Sequence, residues 1–209
     1  MNELEIQFTS KARYYTLGSQ ESKTLVYVLH GYGQLAKLFI QKFKSLENEH
    51  YIVAPEGLHR FYLEGHSGRV GASWMSKENR LTDIKNYLSY LNKLHFEIKG
   101  NSYERIVILG FSQGVATAFR WIADGKVKPN TFLIASGMIP PDVSIEANQS
   151  IFSNMDIAYI TGDNDPFKDE KEVRDFLKQF EKWGISLQQR VFKGGHIIDL
   201  ESIKSLLLA

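Results

Sequence analysis

Short runs of consecutive apolar residues alternate along this chain with segments whose apolar residues recur at helical spacing. Continuous apolar runs are typical of strands that are buried on both faces of a parallel sheet. The runs predict strands at residues 25–29, 51–54, 106–109, 131–134, 157–160 and 187–192. The opening segments, residues 4–8 and 13–17, predict a short antiparallel hairpin at the edge of that sheet.

The intervening segments have the periodicity of amphipathic helices. Ile84, Leu88 and Leu91 fall on one helical face, and a second apolar face begins at Val173 and continues to Phe180. Further helices are predicted at residues 35–46, 113–123 and 198–208. Strands that alternate with helices predict an α/β domain with a mostly parallel central sheet flanked by helices.

Residues 55–80 interrupt the alternation, because they contain several glycines and show no sustained period. A connection longer than about 12 to 15 residues without secondary structure is usually functional or disordered. Bulky residues such as Phe61, Tyr62 and Trp74 argue against disorder. We interpret this segment as a long loop that shapes a substrate pocket. The alternative is an ordered excursion that only protects the sheet edge.

Length and composition narrow the class of protein. A chain of 209 residues fits one domain spanning residues 1–209, with no large cap domain. The 25 Lys and Arg residues nearly balance the 24 Asp and Glu residues, so nucleic acid is not an expected partner. No apolar run approaches the roughly 18 residues of a membrane span, and the first residues do not resemble a secretion signal. Together with the absence of cysteine, this favours a cytoplasmic protein without integral membrane association.

The sequence Gly-Phe-Ser-Gln-Gly at residues 110–114 lies between a predicted strand and a predicted helix. This is the context of a nucleophile elbow, where a sharp turn presents a serine, here Ser112, to a histidine base. The flanking glycines are needed because side chains would clash where the strand and the helix approach each other. The alternative is an ordinary turn rich in glycine and serine.

A glycine-rich turn, His30-Gly31-Tyr32-Gly33, follows the first buried strand. Backbone N–H groups in such a turn can stabilise an oxyanion, and each donor contributes roughly 10² to 10³ in rate. One donor is expected from the residue after the nucleophile, Gln113, and the other from this turn, where we choose Tyr32. The alternative is an ordinary turn, and we expect His30 to brace the loop rather than to transfer a proton.

A carboxylate and a histidine complete the chemistry of a hydrolase. Asp165 follows the strand at 157–160 and could orient a histidine, with Asp163 as its rival. Both aspartates could instead serve only the turn, and a metal site is disfavoured because no histidine lies nearby in sequence. His196 follows the last predicted strand after two glycines, and the order serine, acid, histidine matches α/β hydrolases. A purely structural histidine is the alternative.

With these four ordered motifs, the chain resembles the phospholipase/carboxylesterase family, which includes acyl-protein thioesterases and small bacterial carboxylesterases. The resemblance extends over nearly the whole chain. It implies a single-domain α/β-hydrolase fold with a catalytic triad and two oxyanion donors. The triad would be Ser112, Asp165 and His196, and the donors would be the backbone N–H groups of Tyr32 and Gln113.

We assign Trp74, Met75 and Met138 to substrate binding, Met75 because it belongs to the segment at residues 55–80. Trp74 resembles a tryptophan near the site in relatives, and Met138 lies in a segment that resembles the border of their acyl pocket. Two features depart from the family. Gln34 stands where an acidic residue often follows the second glycine, and residues 55–62 differ from the usual sequence after the second strand.

Together these residues predict a serine hydrolase, without cofactor or metal, that cleaves carboxylic esters or thioesters through an acyl-enzyme. The substrate would be a small or lipid-like ester or thioester. Ser112 would attack the carbonyl, His196 would transfer the proton, and Asp165 would hold the imidazole tautomer. The competing class is a non-catalytic α/β-hydrolase scaffold that binds a small ligand or a protein partner.

If a histidine is the base, we expect activity to fall as the pH drops through about 6.5. This is the reference pKa of histidine, and the side chain must be neutral to accept a proton. The measurement is kcat/KM for a chromogenic ester between about pH 5 and pH 8. A flat profile over this range would contradict a histidine base.

Overall fold

The computed structural model describes residues 1–2, 4–99 and 103–208, and it is organised around a seven-stranded sheet. All neighbouring strands of this sheet are parallel except β1, which runs antiparallel to β3. In spatial order, with numbering along the chain, the strands are β1 (Tyr14–Leu17), β3 (His50–Pro55), β2 (Thr24–Leu29), β6 (Arg105–Phe111), β7 (Thr131–Ala135), β8 (Asp156–Gly162) and β9 (Leu187–Phe192).

Helices cover both faces of the sheet. They are α1 (Ala36–Phe39), which continues into a 3₁₀ helix (Ile40–Leu46), α2 (Arg80–Ile98), α3 (Gln113–Ala123), α4 (Gln149–Phe152), α5 (Glu170–Lys182) and α6 (Leu200–Leu207). Successive residues of β2 point to opposite faces of the sheet and belong to two separate apolar clusters. Tyr27 is in the cluster with residues of α2 to α5, whereas Val26 and Val28 are in the cluster with residues of α1, the 3₁₀ helix and α6. This confirms the predicted α/β domain with flanking helices.

The predicted secondary structure agrees with the structure where the apolar pattern was strongest. Each of the six predicted buried strands lies within an observed strand, and the helix predicted at residues 113–123 has the same bounds as α3. The helix predicted at residues 35–46 is instead a short α-helix followed by a 3₁₀ helix. Leu35 at its N-cap offers no side-chain acceptor, and its first turn contains no acidic residue, so little stabilises a regular start.

The predicted hairpin between residues 4–8 and 13–17 is wrong. Residues 4–8 form no strand, and Leu4 and Ile6 are each 89% exposed. β1 pairs instead with β3, with Leu17 opposite Ile52. A strand gains more from the edge of a large buried sheet than from a second short exposed strand, because an isolated two-stranded hairpin is only marginally stable.

The prediction of a long irregular loop at residues 55–80 is also wrong, because this segment contains an antiparallel hairpin. The hairpin consists of β4 (His59–Glu64) and β5 (Ser67–Ser73), and it is separate from the main sheet. β4 and the first half of β5 are largely exposed. Strands that bury neither face lack the apolar alternation that predicts a strand, so the sequence pattern did not reveal them.

Phe119 of α3 lies at the centre of an aromatic cluster, with its ring centroid 4.8 Å from that of Phe132. We expect Phe119→Ala to lower the free energy of unfolding by about 3 to 5 kcal/mol, because it leaves a cavity in a fully buried region. The matched control is Phe96→Ala on α2, where the side chain is 74% exposed and the loss should stay below about 0.5 kcal/mol. Urea denaturation measures both, and equal losses would contradict the assigned core.

Candidate active site

Ser112 occupies a sharp turn between β6 and α3. Its φ of 53° and ψ of −118° lie outside the conformations that residues with a side chain usually adopt. The backbone N–H of Ser112 donates to the carbonyl oxygen of Ala135 at the end of β7, at 3.0 Å. The turn therefore places Ser112 at the carboxyl edge of the parallel strands, the edge at which α/β folds bind ligands.

The two glycines of the motif are required by the close approach of backbone segments. A Cβ on Gly110 would lie 2.6 Å from the Cα of Val115, and a Cβ on Gly114 would lie 2.2 Å from the carbonyl oxygen of Leu29. Neither position can hold a side chain without moving the backbone. This confirms the prediction that both positions beside Phe111-Ser112-Gln113 must be glycine because a side chain would clash.

The turn after β2 lies directly beside Ser112. A Cβ on Gly31 would lie 3.2 Å from the Cβ of Ser112. The turn is fixed by two hydrogen bonds, from the N–H of Gly33 to the oxygen of Ala72 at 2.9 Å and from the N–H of Gly31 to Oε1 of Gln34 at 3.0 Å. Gln34 thus supplies a side-chain oxygen acceptor to the backbone of this turn.

The two residues chosen as oxyanion donors belong to the segments that adjoin Ser112. Tyr32 is at the exposed apex of the turn after β2. Gln113 is the first residue of α3, where a backbone N–H has no acceptor within the helix. Both N–H groups are therefore suited by position to donate a hydrogen bond to a ligand oxygen.

His30 holds the same turn from the interior. Its Nε2 accepts a hydrogen bond from the N–H of Gly57 at 2.9 Å, so its proton is on Nδ1, which donates to the oxygen of Gly31 at 2.8 Å. Burial lowers the pKa of His30, which keeps the ring neutral. The expectation that His30 braces the loop agrees with these contacts.

Trp74 differs from the expectation of a residue that touches substrate. Its side chain is fully buried, its ring stacks on that of His30 with centroids 5.0 Å apart, and its Nε1 donates to the oxygen of His30 at 2.8 Å. Trp74 therefore supports the turn after β2 from inside the protein. The sequence resemblance indicated a tryptophan near the site. It could not indicate that the side chain is buried, because burial depends on partners that are remote in sequence.

The side chain of Gln113 has a role that the sequence did not indicate. Its Oε1 accepts from the N–H of Trp74 at 3.2 Å, and its Nε2 donates to Oγ of Ser73 at 3.0 Å and to the oxygen of Met75 at 3.4 Å. These bonds join the start of α3 to the end of the β4–β5 hairpin. Met75 itself is half-buried, and its Sδ lies 3.7 Å from Nη1 of Arg120.

Asp165 lies just after β8 and is the partner of His196. Its Oδ2 accepts a hydrogen bond from Nδ1 of His196 at 2.8 Å, and its Oδ1 accepts one from the N–H of Phe167 at 2.9 Å. Burial raises the pKa of Asp165, but these hydrogen bonds outweigh it and hold the pKa below the usual range. The carboxylate is therefore ionised at neutral pH.

Asp163, the rival acid, has a different position. Its side chain is exposed, and its Oδ1 accepts hydrogen bonds from the N–H of Gly194 and from Nδ2 of Asn164, both at 2.9 Å. It therefore fixes the loop that carries His196 rather than the imidazole. The structure decides between the two aspartates in favour of Asp165 as the partner of His196.

The imidazole of His196 contacts two aromatic rings. Its centroid lies 4.9 Å from that of Phe111, the residue before Ser112, and 4.8 Å from that of Phe167. Because Nδ1 donates to Asp165, Nε2 is the nitrogen that can accept a proton. The structure thus brings Asp165 and His196 into contact and places the imidazole beside the turn that carries Ser112.

The sequence profile of the phospholipase/carboxylesterase family matches residues 16–207. The chain belongs to the phospholipase/carboxylesterase family. Membership supports a hydrolase of the esterase or thioesterase type. It also confirms the resemblance that the ordered motifs indicated.

Solved structures share this fold over nearly their full length. A phospholipase/carboxylesterase from Dyadobacter fermentans is 21% identical with a TM-score of 0.67, covering 96% of this chain and 96% of its own. A carboxylesterase from Mesorhizobium loti is 16% identical with a TM-score of 0.72, covering 95% of each chain. Acyl-protein thioesterase 2 from Zea mays is 18% identical with a TM-score of 0.69, covering 94% of this chain and 96% of its own. A comparison with curated proteins found no match.

A small cavity of about 40 Å³ lies beside Asp165 in this phospholipase/carboxylesterase family member. Its walls include Asp165, Phe167, Ser136 and Met138. Met138 is half-buried, and it lines the same cavity as Asp165.

Among the residues that the structure describes, no group of three or more His, Asp and Glu side chains is arranged to hold a metal ion. None of the described helices combines the length and apolar character that crossing a bilayer requires.

Proposed function

We propose that this chain is a serine hydrolase that cleaves carboxylic esters or thioesters through an acyl-enzyme intermediate. Ser112 is the nucleophile, His196 is the base, and Asp165 is the acid of the triad. The observation that carries the proposal is the 2.8 Å hydrogen bond between Nδ1 of His196 and Oδ2 of Asp165, next to a serine on a strained turn. Family membership supports the reaction class.

In the first step, Oγ of Ser112 attacks the carbonyl carbon while Nε2 of His196 accepts the hydroxyl proton. The imidazole then carries a positive charge, and the ionised Asp165 stabilises it through the hydrogen bond at Nδ1. The same bond keeps the second proton on Nδ1, so Nε2 stays available as the acceptor. The rings of Phe111 and Phe167 pack against the imidazole.

The tetrahedral intermediate carries its negative charge on the former carbonyl oxygen. The backbone N–H groups of Tyr32 and Gln113 donate to this oxyanion. The proposal is supported by the rigidity of the turn after β2, which His30 and Gln34 hold through hydrogen bonds. Donors fixed before the reaction need little reorganisation when the charge develops.

Collapse of the intermediate expels the alcohol or thiol, which takes the proton from Nε2 of His196. The acyl group remains on Ser112 until a water molecule, deprotonated by the same imidazole, attacks it. The carboxylic acid then leaves and the serine regains its proton. The proposed steps need only these side chains and water.

The β4–β5 hairpin supplies one wall of the substrate pocket in this proposal. The ring of Phe61 on β4 packs against that of Tyr32 with centroids 5.1 Å apart, and Cδ2 of Leu63 lies 3.2 Å from the position of a Cβ on Gly33. Apolar groups next to the proposed oxyanion donors favour an uncharged acyl or alkyl portion of the ester. Met138 and Met75 are proposed as further contacts with the substrate.

Ser112→Ala is expected to lower kcat by about 10⁶-fold, on the scale of other serine hydrolase triads. A fluorescent phosphonate should label the wild-type protein at Ser112, as identified by peptide mass spectrometry, and should not label the variant. The control is Ser205→Ala, which removes an exposed hydroxyl that bonds within α6, and it should label fully. A wild-type protein that is neither labelled nor active on chromogenic esters would instead indicate a non-catalytic binding scaffold.

The two neighbouring aspartates provide a second test. Asp165→Asn is expected to lower kcat by about 10⁴-fold, because an amide cannot stabilise the imidazolium and favours the wrong tautomer. Asp163→Asn should change kcat less than about 3-fold, since the amide oxygen can still accept from the N–H of Gly194. Steady-state kinetics measure both variants, and the reverse order of effects would show that the acid is misassigned.

A further inference from the structure

Ser136 lies between the strand that carries the nucleophile and the strand that precedes the acid. It directly follows β7, and its N–H donates to the oxygen of Ile160 on β8 at 2.9 Å. The residue before it, Ala135, accepts the N–H of Ser112 at 3.0 Å. Ser136 is thus tied through backbone hydrogen bonds to both halves of the site.

The backbone of Ser136 is in an unusual conformation. Ser112 and Ser136 are the non-glycine residues with positive φ in the described part of the chain, and the φ of Ser136 is 48°. Glycine adopts this region freely, whereas other residues remain there only when their surroundings impose it, often at functional sites. A serine in this conformation therefore suggests that its side chain has a role.

The hydroxyl of Ser136 is buried and lacks a well-formed hydrogen bond. The residue is 8% exposed, and its Oγ has no hydrogen-bond partner within the described residues. Buried hydroxyls are rarely left in this state, because the loss of water is not compensated. Ser136 lines the approximately 40 Å³ cavity that Asp165 also lines.

Asp165 can accept a further hydrogen bond. Its two oxygens each receive one donor, Nδ1 of His196 and the N–H of Phe167, although each carboxylate oxygen has two lone pairs. Burial raises the pKa of Asp165, and the neighbours that lower it are His196 and Phe167 first and Ser136 last. Ser136 thus lies near the carboxylate in the same cavity, although no formed hydrogen bond joins the two side chains.

We propose that Ser136 is a positioning residue for the acid of the triad, whose hydroxyl donates a hydrogen bond to the Asp165 carboxylate. Hydrogen bonds of this kind are often long or poorly aligned in the free enzyme and tighten in the complex with substrate. The additional donor holds the carboxylate toward His196 and keeps it ionised. Ser136 acts on the reaction only through Asp165, so this inference rests on the proposed function.

The test uses two variants that both remove the hydroxyl. Ser136→Ala keeps a Cβ at positive φ, whereas Ser136→Gly relieves the backbone strain and should be the more stable of the two. If the hydroxyl positions Asp165, both variants lower kcat by about 10-fold with KM unchanged, because a hydrogen bond to a charged group is lost. Full activity in either variant would overturn the proposal.

A control separates this effect from a general disturbance of the cavity. Tyr159→Phe removes another hydroxyl from the cavity wall, and its kcat should stay within about 2-fold of wild type. A spectroscopic readout examines the bond itself: the downfield proton NMR signal of Nδ1–H on His196 should shift in both Ser136 variants and stay in place in Tyr159→Phe. Equal loss of kcat in all three variants, or an unshifted signal in the Ser136 variants, would contradict the positioning role.

The outcomes distinguish failure of this inference from failure of the proposed function. A wild-type protein that hydrolyses esters and is labelled at Ser112, with Ser136 variants that match it, would overturn only the positioning role. A wild-type protein without activity or labelling would overturn the proposed function. The shift of the Nδ1–H signal still tests the hydrogen bond between Ser136 and Asp165 in that case.

Discussion

The site depends on how closely the start of α3 approaches β2. A Cβ on Gly114 would lie 2.2 Å from the carbonyl oxygen of Leu29, so the helix can start here only without a side chain at that position. This approach brings the first turn of α3 next to the residues that follow β2. It also forces the backbone of Ser112 into the left-handed region, since the chain must reverse within one residue. The strained backbone of Ser112 costs stability, and it fixes the position of the serine side chain.

Parallel topology then assembles residues that are far apart in the sequence. The chain leaves β2, β6, β7 and β8 at the same edge of the sheet, so the segments that follow these strands become neighbours. At this edge of the sheet, residues that are close in sequence make different polar contacts. Asp163 and Asp165 are two residues apart, yet one fixes the backbone of the loop after β9 while the other contacts the imidazole.

The sequence predicted the features that a local cause determines. Burial on both faces leaves an unbroken apolar run such as residues 25–29, and backbone crowding requires glycine at both ends of the elbow. Features that depend on remote partners were missed or misjudged. The Gln113 side chain bonds to Trp74, which is 39 positions away, and the burial of Trp74 follows from its packing on His30. Nothing in the local sequence marks the strained backbone of Ser136, which arises where neighbouring strands end.

The separation of the β4–β5 hairpin from the main sheet has an evolutionary consequence. The two strands bond to each other, and β5 is joined to the turn after β2 by an isolated bridge between Gln34 and Ala72. Near the tip, a Cβ on Gly65 or Gly68 would meet no heavy atom within 4 Å among the described residues, although the positive φ of both positions favours glycine. Insertions and deletions at this tip can therefore accumulate while the register of the central strands is preserved. Relatives with this fold can in this way differ at the hairpin and keep the same central sheet.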